Sequence, residues 1–583
     1  MTSAFTSSLR LWLAFFAVIA CFAVVLGRLF YLQVSEKEAL RAIVEQNRNR
    51  LEAKQARRGS ILDSRNAILA ISHPVLEVGV DPEVASKEDA SKLPILAELL
   101  KVDLDWLKAQ FIPKIRQQRT PHGLVIKKVR WQPLGKAVPE ETYAAIRKLG
   151  VRGVYGNRYY QRDYPNESLA AHIIGFINKE DRPVQGIELA MDEYLKGLKG
   201  WHEIERDGSQ SRREIVHGRS RSVGPISGLN VQLTIDTVIQ DYAEQEIARL
   251  VELYQPKAVS IIISAPETGY LLGLANYPTF NPNAFWEYPI AHLRNRALTD
   301  QYEPGSIFKM VTFAGVLNED TMPLDAIIDC NQPWINDRGK RRNLPKDHRP
   351  LGSLTLDQVL IRSSNRGTAQ LGLALGEDKL YRYARLFGFG ERPRLGLDAE
   401  ASGFLAKVED WDGLTITRLP IGHAISATPL QVHNAMAAIA AKGVLMQPQA
   451  VHRILNENKE PVIEFAPKVK RVVMESRSAE QLTAILAQVT QPGGTATRAG
   501  MSSFEVAGKT GTTQKIIDGK YSSKHHIASF SGFFPAYNPE VVITIVVDEP
   551  QLKGIGYGGL VAAPAFKNIA ERLTTYLTLS REQ

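Results

Sequence analysis

The sequence predicts an α+β protein: an antiparallel five-stranded sheet with helices packed on it, preceded by a mixed α/β module and one N-terminal transmembrane helix. Three observations carry this. Residues 11–27 (LWLAFFAVIACFAVVLG) form an uncharged apolar run. Two β-rich runs flank Pro266-Glu267-Thr268-Gly269, and three more lie near the C-terminus with helical patterns between the two groups. At 583 residues the chain exceeds what one hydrophobic core supports, so two or three domains are expected.

The N-terminal run continues past Arg28 as LFYLQV, about one bilayer thickness in all. A cleaved signal peptide is the rival reading, and Val18-Ile19-Ala20-Cys21 resembles a lipoprotein cleavage site with Cys21 as lipid acceptor. A cleaved segment should turn polar there, whereas the apolar run continues. We therefore expect an uncleaved signal anchor over residues 11–34, with residues 1–10 cytoplasmic and the rest of the chain outside. Charges flank the span on both sides, so the short N-terminus is the better argument for this orientation.

Residues 35–224 read as a non-catalytic mixed α/β module. Residues 35–47 have helical spacing and extend the anchor. RRGSILDSRNAILAIS is a hairpin turning at Asp63-Ser64-Arg65-Asn66, residues 87–111 are helical, VIKKVRW is a strand, and PEETYAAIRKL is a helix with Pro in its first turn. A boundary is expected at SVGPISG, and residues 225–578 form the second domain. There NVQLTID is a strand, TVIQDYAEQEIARLVELY an amphipathic helix and AVSIIISAPETGYLLGLANYP a hairpin. FEVAGKTGTTQK and IASFSGFFPAYNPEVVITIVVDEP supply three more strands, and AAPAFKNIAERLTTYL a closing helix.

Composition excludes several classes. With 44% apolar and 23% charged residues and no low-complexity tract, the chain is globular rather than disordered. Net charge is +9, yet no zinc-finger spacing, RNP-like sequence or Lys/Arg-rich helix points to nucleic acid, which is not expected as a partner. One basic cluster (Arg338, Lys340, Arg341, Arg342, Lys346, Arg349) reads as a solvated surface or a face toward an anionic membrane or envelope polymer. The two cysteines, Cys21 and Cys330, cannot form a disulfide framework. No nucleotide loop or His/Cys metal spacing occurs in the first module, and neither metal nor organic cofactor is expected.

The chemistry centres on YEPGSIFKM. Ser306 and Lys309, three apart on a helix starting near Gly305, share a face. The first turn offers free N–H groups and the helix dipole to an alkoxide, while Ile307 and Phe308 would anchor the turn in the core. A lysine near its ordinary pKa of about 10.4 is no base at neutral pH, so burial and a second cation are required. Alone, S-x-x-K is weak: about two chance matches are expected in a chain of this length, and this one has one. Ser363-Ser364-Asn365 opens an apolar helical run and offers a hydroxyl for proton relay and an amide to hold substrate and Lys309. S-x-N alone means little, since Ser64-Arg65-Asn66 matches it as a turn. Lys509-Thr510-Gly511-Thr512 lies in a strand pattern. Lys509 would be the second cation, the Thr510 and Thr512 hydroxyls would bind a substrate carboxylate, and Gly511 would let a substrate backbone approach. The Thr512 and Ser306 amides would form an oxyanion hole.

S-x-x-K, S-x-N and K-T-G in this order are the motif set of penicillin-recognising serine acyltransferases. The chain resembles a class B penicillin-binding protein, a monofunctional peptidoglycan D,D-transpeptidase, from anchor to final helix. Supporting stretches are RGSILDSRNAILA, RDYPNESLAAHIIGF, QGIELAMDEYLKG, NRALTDQYEPGS, TPLQVHNAMAAIAAKG and YGGLVAAPAF. The resemblance implies a penicillin-binding transpeptidase fold on a pedestal/dimerisation-like domain, and is greatest to the division-specific septal type. Cell-elongation and spore types, or a D,D-carboxypeptidase using water as acceptor, are alternatives.

It also implies peptidoglycan stem peptides as substrate, β-lactams as inhibitors, and a SEDS-type membrane glycan polymerase and other division proteins as partners. The site would lie outside the cytoplasmic membrane. The chain departs from the family at Gly422-His423-Ala424, where relatives carry Gly-aromatic/Gln-Gly. His423 is expected to be packed at a helix start, a site-lining position being the alternative. His525-His526 read as a solvated pair preceding a strand.

Overall fold

The computed structural model describes residues 8–38, 40, 49–120, 123–205, 221–552 and 554–579. They divide into two compact units, one of residues 1–57 with 197–228, the other of residues 58–196 with 229–583.

In the first unit, Ser8–Phe30 is an α-helix continued by a π turn, Tyr31–Ser35. Ser8–Ser35, with mean hydropathy 2.5 and no buried residue, is long and apolar enough to cross a membrane. The strands Asn49–Lys54, Gly200–Glu205 and Arg221–Val223 form an antiparallel sheet. Most of the expected tail at residues 1–10 and of the helix at 35–47 lies outside the described residues.

The second unit contains two large sheets. The seven-stranded sheet takes Ile61–Leu62, Ile68–Val80, Gln132–Val138 and Val154–Asp163 from the first half of the chain. It takes Asn230–Leu233, Val451–Leu455 and Pro461–Glu464 from beyond residue 225. NVQLTID is thus a strand, but it pairs parallel with Ile61–Leu62, so a sheet crosses the boundary expected near residue 225. The expected hairpin at Asp63 forms, and the Asp63 carboxylate accepts from the amides of Arg65 and Ala67 (2.8 and 2.7 Å) and from the Thr237 amide (3.2 Å). Glu188, fully buried, accepts from Arg58 Nε and Arg162 Nε at 2.7 Å each and from the Tyr164 hydroxyl at 3.2 Å. Three of the stretches that carried the resemblance therefore meet at one buried carboxylate.

The five-stranded sheet has the order Leu271–Tyr277, Ala258–Ser264, Val541–Asp548, Lys520–Phe534, Ala507–Ile517, antiparallel throughout. These are the two early and three late strands the sequence predicts. Helices Thr237–Tyr254 and Gly558–Tyr576 share a core with it on one face, through Ile239, Phe530, Phe566 and Ile569. The other core holds helices Lys309–Asn318 and Pro429–Ala440. His433 ties the latter to the sheet, its ring nitrogens 2.7 Å from Ser264 Oγ and 3.0 Å from Thr544 Oγ1. Ala507–Ile517 is the edge strand, and the site lies along it.

Candidate active site

Gly305–Ile307 is a 3-10 turn that runs into the helix Lys309–Asn318. Ile307 and Phe308 are fully buried, as the sequence predicts, and fix the turn that carries Ser306. Gly305 has φ +55°, a conformation glycine adopts without strain. Its N–H donates to the Gly422 carbonyl at 3.1 Å. Gly422 (φ +80°) packs so closely that a Cβ there would collide with the Gly305 backbone. Two glycines thus set the position of the serine.

Lys309 is fully buried. Its Nζ lies 2.6 Å from the Ser363 carbonyl oxygen, 3.1 Å from Ser363 Oγ and 2.8 Å from Asn365 Oδ1. Lys509, also fully buried, donates to the same Ser363 Oγ at 3.1 Å. Burial, then the neighbouring Lys509 cation, hold the Lys309 amine well below the ordinary lysine range. Burial brings Lys509 down to about 7. The sequence motifs required a buried lysine beside a second cation, and this pair has that geometry.

The Ser363-Ser364-Asn365 turn is held by a residue the motifs did not reveal. Asp347 accepts from Ser364 Oγ at 2.9 Å, from the Arg366 amide at 3.3 Å and from the Asn365 amide. Ser364 caps the helix Asn365–Leu375, while Ser363 takes φ +58°, a left-handed conformation disfavoured for serine. Asn365 Nδ2 donates to the Lys346 carbonyl at 2.9 Å, leaving its oxygen for Lys309. The only sequence signal for Asp347 is a lone carboxylate inside a basic stretch.

Ser306 and Thr512 line a cleft with two lobes. One, of about 560 Å³, includes Ser363, Thr510, Arg349, Arg362 and Arg498. The other, of about 590 Å³, includes Glu303, Asn365, Arg418, His423, Gln514 and Tyr521. Thr510 Oγ1 lies 3.1 Å from Thr495 Oγ1, and Thr512 Oγ1 accepts from the Gly558 amide at 3.1 Å.

Four expectations are corrected. Gly511 does not face an approaching substrate: a Cβ there would meet Ser529 Oγ, Ile307 at 3.0 Å and the Pro304 carbonyl at 3.1 Å, so its bareness admits the chain's own serine turn. His423 follows a 3-10 turn, Leu419–Ile421, and lines the cleft instead of packing at a helix start. Burial, with Arg418 and Lys309 nearby, brings it down to about 4, so it is neutral at neutral pH. His525 and His526 lie within Lys520–Phe534, and only His525 is solvated; His526 is buried and borders the cleft. Of the basic cluster, Lys346 and Arg349 belong to the cleft wall. Among the described residues, no group of His, Cys, Asp and Glu could hold a metal ion.

A buried lysine pair bridged by a serine hydroxyl, opening with a second serine onto the edge of an antiparallel sheet, defines a serine acyltransferase of the penicillin-recognising class. The penicillin-binding protein transpeptidase domain model matches residues 259–571, and the penicillin-binding protein dimerisation domain model matches residues 53–233. The chain belongs to the penicillin-binding protein transpeptidases, as a class B member.

It is 31% identical over 97% of its length to the probable peptidoglycan D,D-transpeptidase PenA of Neisseria gonorrhoeae, covering 92% of that protein. It is 30% identical to stage V sporulation protein D of Bacillus subtilis (96% of this chain, 84% of that one). It is 29% identical to the peptidoglycan D,D-transpeptidase FtsI of Escherichia coli (94% and 88%). Among solved structures, penicillin-binding protein 3 of Mycobacterium tuberculosis in complex with aztreonam superposes with TM-score 0.67 at 25% identity, covering 91% of this chain and 98% of that one. Penicillin-binding protein 2X of Streptococcus thermophilus shares the fold at TM-score 0.74 and 21% identity (90% and 80%).

Proposed function

We propose that the chain is a peptidoglycan D,D-transpeptidase that cross-links stem peptides at the division septum through an acyl-enzyme on Ser306. The observation that carries this is the convergence of Lys309 and Lys509 on Ser363 Oγ beside a cleft lined by Ser306. A neutral Lys309 amine has two N–H groups and one lone pair. The Ser363 carbonyl and Asn365 Oδ1 take the N–H groups, which leaves the lone pair for a hydroxyl proton. Lys309 removes the Ser306 proton as Oγ attacks the penultimate D-Ala carbonyl of a stem peptide. The carbonyl oxygen gains negative charge between the Ser306 and Thr512 amides. Thr510 and Thr512 hold the terminal carboxylate, and the strand carrying Gly511 aligns the peptide.

As the C–N bond breaks, the leaving D-Ala amine takes a proton through Ser363, which Lys509 resupplies. A second stem's amine then attacks the ester carbonyl, its proton passing through Ser363 to Lys509, and the ester C–O bond breaks as Lys309 returns its proton to Ser306. β-Lactams acylate the same serine. We further propose residues 11–34 as a signal anchor in the cytoplasmic membrane, residues 1–10 as its cytoplasmic tail, 35–224 as pedestal and 225–578 as transpeptidase domain outside it. A SEDS-type glycan polymerase and other division proteins are the proposed partners.

Two measurements test this. Incubating the full chain with a donor thioester and an acceptor amine yields amide product if it is a transpeptidase; only free acid marks a D,D-carboxypeptidase. Depleting the protein in its own cells produces filaments without septa if it is septal. Rounded cells mark an elongation enzyme, and a defect confined to spores a spore enzyme.

A further inference from the structure

Arg338, Lys340, Arg341 and Arg342 of the basic cluster lie on one hairpin that the reaction does not use. Its strands, Trp334–Asp337 and Lys340–Asn343, pair antiparallel with Trp334 opposite Asn343 and Asn336 opposite Arg341. Side chains alternate across such a pair, so its two faces carry different residues. One face is anchored. Ile335 packs on the core that holds helix Lys309–Asn318, and Arg342 donates to Asp337 Oδ2 at 3.4 Å and to the Gly413 carbonyl at 3.0 Å. The other face carries Trp334, Asn336, Arg341 and Asn343, all exposed. Among the described residues none of these four side chains makes a hydrogen bond or an ion pair. Arg341 instead lies over the Trp334 ring, its guanidinium carbon 4.7 Å from the centroid. That contact orders both side chains and leaves the guanidinium N–H groups free.

An indole, two amides and a stacked guanidinium on one flat face suit a sugar. The C–H face of a pyranose is apolar and packs on an aromatic ring. Its hydroxyl and acetamido groups exchange hydrogen bonds with amides, which both donate and accept. A membrane is a poorer match, because a surface anchor needs a broad apolar face. Here Trp334, 40% exposed, is the one large apolar side chain on the face. The hairpin is also continuous with the cleft. Its base is closed by the Leu344 amide, which donates to the Pro333 carbonyl at 2.9 Å, and Lys346 and His348 just beyond line the cleft. The chain from Asn343 to Lys346 spans at most about 11 Å. In peptidoglycan the stem peptides hang from a chain of N-acetylated amino sugars, so a stem in the cleft brings that chain to its rim.

We propose that the outward face of this hairpin binds the glycan chain that carries the stem peptides. A sugar ring packs at the Trp334–Arg341 pair, its acetamido and hydroxyl groups bond Asn336 and Asn343, and carboxylates of neighbouring stems meet Arg341 and Arg338. The inference rests on the transpeptidase reading for the identity of the polymer. It gives the hairpin no part in bond-making: the face holds the polymer while its peptides react in the cleft.

The test compares D-alanine release by the full-length chain in detergent from two substrates with the same pentapeptide. One is the free Nα-acetyl peptide, the other uncross-linked glycan chains bearing it. Wild type should show the lower KM for the glycan-borne peptide. Trp334→Ala should raise that KM about tenfold with kcat unchanged, and leave the free peptide within about twofold. Asn336→Ala combined with Asn343→Ala should act in the same direction. Arg341→Lys, which keeps the charge but loses the planar stack, should lie between wild type and Trp334→Ala. In wild type, peptide-free glycan chains should slow hydrogen exchange of the amides of residues 334–343.

A folding defect lowers both rates and penicillin labelling together, so it does not mimic a change in one KM. If a variant fails to fold, the wild-type exchange measurement decides alone. Equal KM for the two substrates in wild type, equal losses on both in Trp334→Ala, or no protection of residues 334–343 would overturn the proposal, and with penicillin labelling intact would leave the transpeptidase reading standing. Binding to phosphatidylglycerol vesicles that is lost in Trp334→Ala, with the glycan kinetics unmoved, would overturn it in favour of a membrane contact. No D-alanine from either substrate and no penicillin adduct would overturn the transpeptidase reading, and the exchange measurement would then decide the hairpin separately.

Discussion

At the scale of single residues, the site depends on two lysines buried where charge is unwelcome. In the proposed mechanism Ser306 acylation requires Lys309 neutral, so its rate should rise with pH through the lowered Lys309 pKa. Lys509 is one of the causes of that lowering. Lys509→Ala should move the acid limb of the acylation profile to higher pH and slow acylation at neutral pH by about 10²-fold. Stopped-flow acylation against pH measures both. Stability carries a second sign. Lys509 has a folded pKa of about 7, below its unfolded value of about 10.4. The cost of burying its charge is therefore present in full below about 7 and is relieved as pH rises toward 10.4. Lys509→Met should melt a few degrees above wild type at pH 6, with the gap closing by about pH 10. Calorimetry across that range checks it.

At the scale of elements, the close approach of two loops fixes the proposed nucleophile. Gly422→Ala puts a methyl group against the Gly305 backbone in a left-handed conformation. It should cut acylation by about 10²-fold or more through displacement of the serine turn. Gly519→Ala, at φ +75° with open space around it, should cost only about 1 kcal/mol of stability. Denaturant melts and penicillin acylation of the two variants separate strain from displacement.

This contrast also shows what the sequence could reveal. Ser306 and Lys309 are legible because one helical turn joins them, and Lys509 because a strand pattern surrounds it. The five sheet strands are legible as apolar runs bounded by turns. Asp347 is not legible, because it acts through backbone amides of a turn distant in sequence. Gly511 misleads because local sequence shows that a Cβ is missing but not which neighbour fills the space. His423 and Arg418, from one short segment, line the cleft with Glu303 and Tyr521 only when that segment, a second loop and a strand fold together, and no spacing records that.

At the scale of the whole molecule, the second unit is knitted across the domain boundary expected near residue 225. Asn230–Leu233 pairs with Ile61–Leu62, and Tyr164 shares hydrogen bonds with Asn283 in both directions (2.8 and 3.0 Å). Such pairings have no local signature, which is why sequence reading separates the two expected domains more cleanly than the fold does. The buried Glu188 holds two arginines from separate stretches of sequence, and among the described residues Arg162 pairs with no other carboxylate. Glu188→Gln should destabilise this unit by about 3–5 kcal/mol, read as a lowered urea midpoint.

In the proposed mechanism this buried lysine pair activates Ser306 as the acylated residue. The most direct measurement is fluorescent-penicillin labelling of the full chain, wild type against Ser306→Ala, with the adduct mapped by peptide mass. One covalent adduct is expected, on Ser306, abolished by the substitution. An adduct on another residue, or labelling that survives Ser306→Ala, would contradict it.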